Sequence, residues 1–128
     1  MDRREIGRRG EQHAAAQLQA RGYDILAMNY HSRYGEIDII AQSDTYILFC
    51  EVKTRAKNAL GTPAQAVTAA KQKRLIKTAF DYLIKQPNPR QPRFDVIEVV
   101  TDTTGDFSRV ELRVIENAFS VENVYEIF

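Results

Sequence analysis

Two acids and a lysine interrupt two otherwise apolar stretches of this 128-residue sequence. The first stretch, GEIDIIA at residues 35–41, contains Asp38, and the second, ILFCEVK at residues 47–53, contains Glu51 and Lys53. Both stretches are typical of buried β-strands, in which successive side chains point to opposite faces. Glu51 and Lys53 therefore share one face of their strand, and Asp38 lies on a strand that can pair with it.

The polar residues 42–45, QSDT, predict a turn that joins these strands into a β-hairpin. If Ala41 pairs with Tyr46 across the turn, Asp38 and Glu51 become diagonal neighbours on one face. Every register whose paired residue numbers sum to an odd value keeps this arrangement, whereas a slip of one residue separates the two acids. The predicted acid cluster therefore depends on the register of the hairpin.

Carboxylates that cluster on half-buried strands repel one another and lose hydration, which raises their pKa values unless a cation compensates. Cys50 is the only cysteine, which excludes an internal disulfide and a cysteine-based zinc site; His13 and His31 are expected to pack, cap or face solvent. The acids instead suit Mg²⁺ or Mn²⁺, which can position a phosphodiester and activate water. Lys53 would then approach the attacking water or a phosphate oxygen.

Hydrophobic periodicity and turn residues predict the element order α-β-β-β-α-β-β. In the first helix, Ile6, Gly10, Ala14 and Leu18 recur every four residues. Thr62, followed by a proline, is expected to cap the second helix. The predicted helices cover residues 5–20 and 63–86, the predicted strands cover residues 23–30, 35–41, 46–53, 94–100 and 110–115, and residues 54–61 are expected to form a basic loop.

Short blocks spread over nearly the whole sequence resemble the YraN family, small uncharacterised bacterial proteins assigned to the PD-(D/E)XK nuclease superfamily. The blocks are GRRGEQHAA (7–15), GEIDIIA (35–41), FCEVKTR (49–55), RFDV (93–96) and ENAF (116–119). The resemblance implies an α/β restriction-endonuclease-like fold with an α-β-β-β-α-β core and a mixed central sheet flanked by helices. It also implies that Asp38, Glu51 and Lys53 occupy the nuclease signature, in which Ile37 stands where the superfamily has a proline.

Glu11 matches an additional acid of archaeal Holliday-junction-resolvase-like members of the superfamily. The resemblance therefore adds Glu11 to Asp38 and Glu51 as a metal ligand. Small residues such as Ala14 flank Glu11 and would allow a close approach of the helix to the sheet. The alternative is a partly exposed glutamate that pairs with an arginine of the same helix, such as Arg8.

Glu36 and Gln65 are candidates for supporting positions around such a site. Glu36 shares a strand face with Asp38, so it can serve as an outer or alternative ligand, or only pair with Arg33 or Lys53. Gln65 can reach the site from the start of the second helix, although its place in a capping box explains it as well.

Basic residues that follow the acids are candidates for contacts with nucleic-acid phosphates. Arg55 and Lys57 follow the second acidic strand, and Lys71 and Arg74 lie on the second predicted helix. Lys71 falls on the stripe of that helix expected to face the sheet. The alternative for Lys71 is a side chain that runs along apolar surface to reach water.

The composition predicts one self-folding domain that spans residues 1–128. Hydrophobic residues make up 44% of the chain and charged residues 27%, which is typical of a globular domain. No apolar run approaches the ~20 residues that span a bilayer, and the N-terminus leads into a charged helix, so we expect a cytoplasmic protein without a membrane partner. The net charge of +1 divides into +7 for residues 1–93 and −6 for residues 94–128, which fits a basic face or merely solvated helices.

The expected function is divalent-metal-dependent cleavage of phosphodiester bonds in DNA, with branched DNA as a candidate substrate. The alternative is a non-catalytic module that binds nucleic acid or assembles with other proteins and retains the nuclease fold, because superfamily members of this kind exist. The complete set of acids with Lys53 favours the enzyme, since a binding module has no reason to place anions where phosphates approach.

Apolar residues of the second helix and of the C-terminal tail also bear on self-association. Leu75 is expected to face the sheet, whereas Ile76, Phe80 and Leu83 lie on roughly the opposite side of the helix. Either the apolar tail covers this second stripe in a monomer, or a two-fold homodimer buries it.

Overall fold

The computed structural model describes residues 2–57, 67–102 and 104–119, and its elements follow the predicted order. This order and the mixture of helices and strands confirm the α/β class. The elements are α1 (Arg3–Ala20), β1 (Asp24–Ser32), β2 (Gly35–Gln42), β3 (Tyr46–Ala56), α2 (Ala69–Lys85), β4 (Gln91–Thr101) and β5 (Glu111–Phe119).

The strands form one five-stranded sheet in the order β1-β2-β3-β4-β5. Neighbouring strands are antiparallel except for β3 and β4, which are parallel and are connected through α2. A parallel pair needs such a crossover connection, because a tight turn can join only antiparallel strands. The mixed sheet is compatible with the restriction-endonuclease-like core that the sequence resemblance implies.

The two helices cover opposite faces of the sheet. Ala14 and Leu18 of α1 pack with Leu48 of β3, whereas Leu75 of α2 packs with Phe49, the next residue along the same strand. Burial of each large apolar side chain contributes about 1.5–3 kcal/mol, so the two layers supply most of the driving force for folding. The sheet is therefore buried on both sides, and polar residues within it require partners.

The predicted apolar stripe of α1 is confirmed, because Gly10, Ala14 and Leu18 are buried on the side that faces the sheet. Asp2 caps the helix, since its carboxylate accepts a hydrogen bond of 2.8 Å from the Glu5 N–H. Among the residues that the structure describes, neither helix is long and apolar enough to cross a membrane.

The start of the second helix differs from the prediction. Val67 and Thr68 are not helical, and α2 begins at Ala69, where Thr68 Oγ1 accepts a hydrogen bond of 3.2 Å from the Lys71 N–H. Val67 is buried in the α2-side core, and Thr68 directly after it caps α2. The predicted cap at Thr62 and the side chain of Gln65 lie outside the described residues.

The expectation that Ile76, Phe80 and Leu83 lie on the opposite side of α2 from Leu75 is wrong. Ile76 is 3% exposed and belongs to the same core as Leu75, and Phe80 and Leu83 pack against that core. The reason is that the apolar arc of the helix is wide enough to meet β1 and β2 as well as the sheet centre. The second apolar stripe therefore no longer supports a homodimer, which stays a prediction. Residues 120–128 of the tail lie outside the described residues.

All five strands are longer than predicted, and β3, β4 and β5 differ most. Thr54, Arg55 and Ala56, expected in a loop, continue β3, because they pair in parallel with β4 up to Thr101. β4 begins at Gln91, and β5 runs on to Phe119, whose ring stacks on Phe94 at 5.0 Å between centroids. The long β3 carries polar side chains well past its pairing with β2.

Gly10 allows the closest approach of α1 to the sheet. A Cβ atom there would overlap Thr54 Oγ1 and lie 3.1 Å from Thr54 Cβ, a contact that rotation of the threonine cannot relieve. We expect Gly10→Ala to lower the free energy of unfolding by about 1–3 kcal/mol through overpacking. Gly7→Ala is the control: no atom lies within 4 Å of its added Cβ, so it should stabilise the helix by about 0.5–1 kcal/mol. Urea unfolding measures both, and a Gly10→Ala protein as stable as Gly7→Ala would contradict the close approach.

Candidate active site

The β2–β3 hairpin brings the two predicted acids together in a register that keeps the expected parity. The backbone pairs run from Gln42 with Ile47 to Ile39 with Cys50. The register proposed from the sequence, with Ala41 opposite Tyr46, is wrong by two residues, because residues 43–46 form the turn and the Ser43 N–H donates to the Tyr46 carbonyl at 2.9 Å. Parity is preserved, so the acids remain on one face.

Asp38 lies where β2 and β3 separate. Their backbone pairing ends at Ile39 and Cys50, and one further step in this register places Asp38 opposite Glu51. Beyond that point the Val52 N–H donates a hydrogen bond of 2.8 Å to Asp38 Oδ2. The carboxylate thus takes the place of a strand carbonyl, which holds Asp38 beside Glu51.

Glu51 is 6% exposed and is neutralised by two lysines. Its Oε1 atom lies 2.5 Å from Lys71 Nζ and 3.4 Å from Lys53 Nζ. Burial lowers the pKa of Lys71, but the hydrogen bond and the charge of Glu51 outweigh burial and leave this pKa raised. Lys71 therefore stays charged and contributes a cation from α2 to an acid of β3.

The environment of Asp38 favours its protonated form. Desolvation raises the pKa of Asp38 to about 8, with a further contribution from the negative charge of Glu51. The hydrogen bond from the Val52 N–H lowers this pKa, whereas the charges of Glu11 and Glu36 raise it. Three other acids therefore act on Asp38 at the point where the hairpin opens.

Asn29 is a residue of this site that the sequence reasoning missed. Its side-chain amide lies 3.0 Å from Glu11 Oε1 and 3.0 Å from Glu36 Oε1, so one Nδ2 group joins an acid of α1 to an acid of β2. Its backbone has a φ of 51°, in the left-handed region that asparagine tolerates better than other side chains. An asparagine inside a predicted strand is the signal that could have revealed it, because asparagine is depleted in strands.

Half of the predicted site residues line one small pocket of about 180 Å³. Lys71 and Arg74 line it from α2, and the acids line it from the sheet. Glu36 also lies 3.8 Å from His31 Nδ1 at the exposed end of β2. The full lining is Gly35, Glu36, Asp38, Glu51, Lys71, Arg74 and Leu75.

Two of the predicted phosphate contacts lie away from this pocket. Arg55 forms an ion pair with Glu98, which is 1% exposed in β4. Lys57 is exposed and lines a separate pocket of about 420 Å³ together with Arg109. The sequence signal for this ion pair is Glu98 itself, because an acid within the apolar run of β4 requires a basic partner when it is buried. The roles of Arg55 and Lys57 at phosphates stay predictions.

The donor set fits a hard divalent cation by its chemistry. Within residues 2–57, 67–102 and 104–119, no three Asp, Glu, His or Cys side chains are grouped as metal ligands. Mg²⁺, however, commonly takes one or two carboxylates and completes its shell with water. Asp38 and Glu51 supply that number, and Glu11 lies near enough to shift the pKa of Asp38. In the structure the lysines supply the compensating positive charge instead.

The remaining candidate side chains behave as expected from the sequence. His13 stacks on Phe107 with 5.3 Å between ring centroids, and Cys50 is fully buried. His31 is exposed at the end of β1.

The raised pKa of Asp38 predicts how stability depends on pH. Between the ordinary aspartate pKa of 3.8 and about 8, the folded protein holds a proton that the unfolded chain has lost, so stability falls as the pH rises through this window. Asp38→Asn keeps an oxygen acceptor for the Val52 N–H and removes the buried charge. We expect the variant to be more stable than the wild type by about 1–3 kcal/mol at pH 8, given about 1.4 kcal/mol for each pKa unit.

Urea unfolding in the presence of a chelator, from pH 5 to pH 9 in steps, measures this difference. The control is Asp44→Asn, which removes an exposed carboxylate of the same hairpin and should show no such trend. A constant difference between Asp38→Asn and the wild type across the range would mean that Asp38 titrates like a carboxylate in water.

Comparison with known proteins identifies relatives along most of the chain. The model of the uncharacterised protein family UPF0102 matches residues 10–99. A UPF0102 protein of Symbiobacterium thermophilum is 49% identical over 117 residues, which cover 91% of this chain and 97% of the relative. A UPF0102 protein of Clostridium botulinum strain Loch Maree is 42% identical over 120 residues, which cover 92% of this chain and 96% of the relative. The protein therefore belongs to the UPF0102 family, the YraN family that its sequence blocks resemble.

Proposed function

We propose that the protein is a divalent-metal-dependent endonuclease that hydrolyses phosphodiester bonds of DNA. The observation that carries the proposal is the meeting of Asp38 and Glu51 where β2 and β3 separate, with Lys53 beside Glu51 on the same strand. Two carboxylates and a neighbouring ammonium group are the parts that metal-assisted attack of water on a phosphodiester requires.

Among the described residues, Asp38 lacks the basic partner that Glu51, Asp95 and Glu98 each have in the sheet. Asp95 is held by two hydrogen bonds from Arg93, at 3.0 and 2.8 Å, and Glu98 is paired with Arg55. Among the described residues, no lysine or arginine forms an ion pair with Asp38, although its surroundings disfavour its charge. A positively charged ligand would stabilise the charged form of such an acid.

In the proposed reaction Asp38 and Glu51 hold Mg²⁺ or Mn²⁺, with Glu11 as a further ligand. When bound, the ion supplies Lewis-acid charge to the phosphate and lowers the pKa of water. Lys53 would stabilise the attacking water or the developing negative charge on the phosphate oxygens. As water forms its bond to phosphorus, the bond from phosphorus to one deoxyribose oxygen breaks, and the strand is cut.

Basic residues around the pocket would hold the DNA backbone. Arg74 is exposed at the rim, and Lys71 lines the same pocket. Arg55 and Lys57 extend the predicted contacts along and beyond β3. Branched DNA is the first substrate to test because the family resembles the resolvase-like nucleases, and a homodimer would present two sites to paired strands.

A non-catalytic module that binds nucleic acid or assembles with other proteins is the second candidate function. The observation that favours it is the double neutralisation of Glu51 by Lys53 and Lys71, which gives the site a charge balance without metal. Binding of branched DNA without cleavage, with Mg²⁺ or Mn²⁺ present, would support this alternative.

The proposed metal site predicts that the wild-type protein binds Mn²⁺ and that Asp38→Asn does not. The substitution removes the negative charge of one of the three proposed ligands, Glu11, Asp38 and Glu51. Isothermal titration calorimetry at pH 8 measures the binding, and Asp44→Asn, at the exposed turn of the same hairpin, should bind as the wild type does. Equal binding by Asp38→Asn and the wild type would show that the site is assigned to the wrong residue.

The role of Lys53 predicts a separate effect on the chemical step. Lys53→Ala should keep Mn²⁺ binding and most of the DNA affinity while it slows single-turnover cleavage by roughly 10², the usual effect of losing one charge-stabilising or proton-transfer group. Lys73→Ala removes an exposed lysine of α2 and is the control for general loss of positive charge. Cleavage by Lys53→Ala at the wild-type rate would remove Lys53 from the mechanism.

A further inference from the structure

Lys71 makes the shortest contact of the pocket, and it does so with a proposed metal ligand. Its Nζ atom lies 2.5 Å from Glu51 Oε1, the same oxygen that Lys53 approaches to 3.4 Å. Lys71 stands in the first turn of α2, where its backbone N–H is fixed by the Thr68 cap. The ammonium group therefore occupies space on Glu51 that a cation bound to this carboxylate would need.

Two lysines at Glu51 match the negative charges of Asp38 and Glu51. Asp38 and Glu51 carry at most two negative charges, and Lys53 and Lys71 bring two positive charges to Glu51. Entry of a divalent cation would leave an excess of positive charge in a site where Glu51 is almost fully buried. Such an excess is unfavourable at low dielectric, so one ammonium group has to leave when a metal binds.

Lys71 is the lysine placed to leave. Its side chain is 30% exposed, close to the 35% of Lys53, but it reaches Glu51 from a different element, with Arg74 one helical turn further along the pocket. Movement about its flexible side chain can return the ammonium group to water without disturbing the sheet. Lys53 instead lies on β3 itself, two residues from Glu51.

We propose that Lys71 is an internal counter-ion of Glu51 that competes with the divalent cation, so that metal binding releases its ammonium group toward a phosphate of the substrate. This inference rests on the proposed metal-dependent function, because it requires Asp38 and Glu51 to accept a metal. It assigns to Lys71 a role in metal affinity in addition to the phosphate contact predicted from the sequence. Metal and phosphate binding then favour each other, since each removes a competitor of the other.

The direction of the effect on metal affinity tests the inference. Lys71→Met removes the charge and keeps much of the apolar side chain, so we expect it to bind Mn²⁺ about tenfold more tightly than the wild type, equal to about 1.4 kcal/mol. Lys71→Arg keeps the charge and should bind Mn²⁺ as the wild type does. Lys73→Met removes an exposed lysine two residues away and should also resemble the wild type. Calorimetric titration of the full chain with MnCl₂ measures all four proteins.

A merely structural role for Lys71 would give the opposite result, because a damaged site binds metal more weakly. Lys71→Gln is a second neutral variant for which we expect the same tightening if Lys71→Met does not fold. Binding that both neutral variants leave unchanged or weaken would overturn the role of Lys71 while the metal site stands. Absence of Mn²⁺ binding in the wild type and in every variant would refute the proposed metal site, and this inference with it.

Discussion

The hydrogen bond from the Val52 N–H to Asp38 Oδ2 marks the point on which the candidate site depends. At this point the antiparallel pairing of β2 and β3 stops, and a side chain replaces the backbone acceptor. Among the described residues, the rest of β3 pairs only with β4, on one side of the strand. The hairpin thus opens without leaving the Val52 donor unsatisfied, and two carboxylates remain at the opening.

The positive charges that make this arrangement tolerable come from elements that lie on different sides of the opening. Lys53 belongs to β3, and Lys71 belongs to the first turn of α2, which packs on the sheet through Leu75 and Ile76. The packing of α2 therefore sets the distance between an ammonium group and Glu51. Asp38 obtains no such partner among the described residues, and desolvation together with the charge of Glu51 raises its pKa.

The α1 side of the site depends on small residues and on one asparagine. Gly10 brings α1 against Thr54, and the next residue, Glu11, meets the amide of Asn29. The same amide also donates to Glu36. The neutral side chain of Asn29 therefore lies between two acids, Glu11 and Glu36, whose charges repel each other. Elsewhere in the sheet, Asp95 and Glu98 are balanced by arginines, which shows two different solutions to the same electrostatic problem in one fold.

Local patterns in the sequence were sufficient for the element order, the α1 stripe and the side-by-side placement of Asp38 and Glu51. The helix stripe follows from apolar or small residues at every fourth position, and the strands follow from alternation at every second position. The two acids share a face in every hairpin register whose paired residue numbers sum to an odd value. The start of α2, the two-residue difference in hairpin register and the extent of β3 did not follow from these patterns. The extent of β3, for example, is set by its pairing with β4 up to Thr101. Asn29 and Glu11, Lys71 and Glu51, and Arg55 and Glu98 meet although the two members of each pair are 18 to 43 positions apart in the chain. Sequence order carries no measure of the distance between such groups, so only the packing of both helices on the sheet establishes which charges meet.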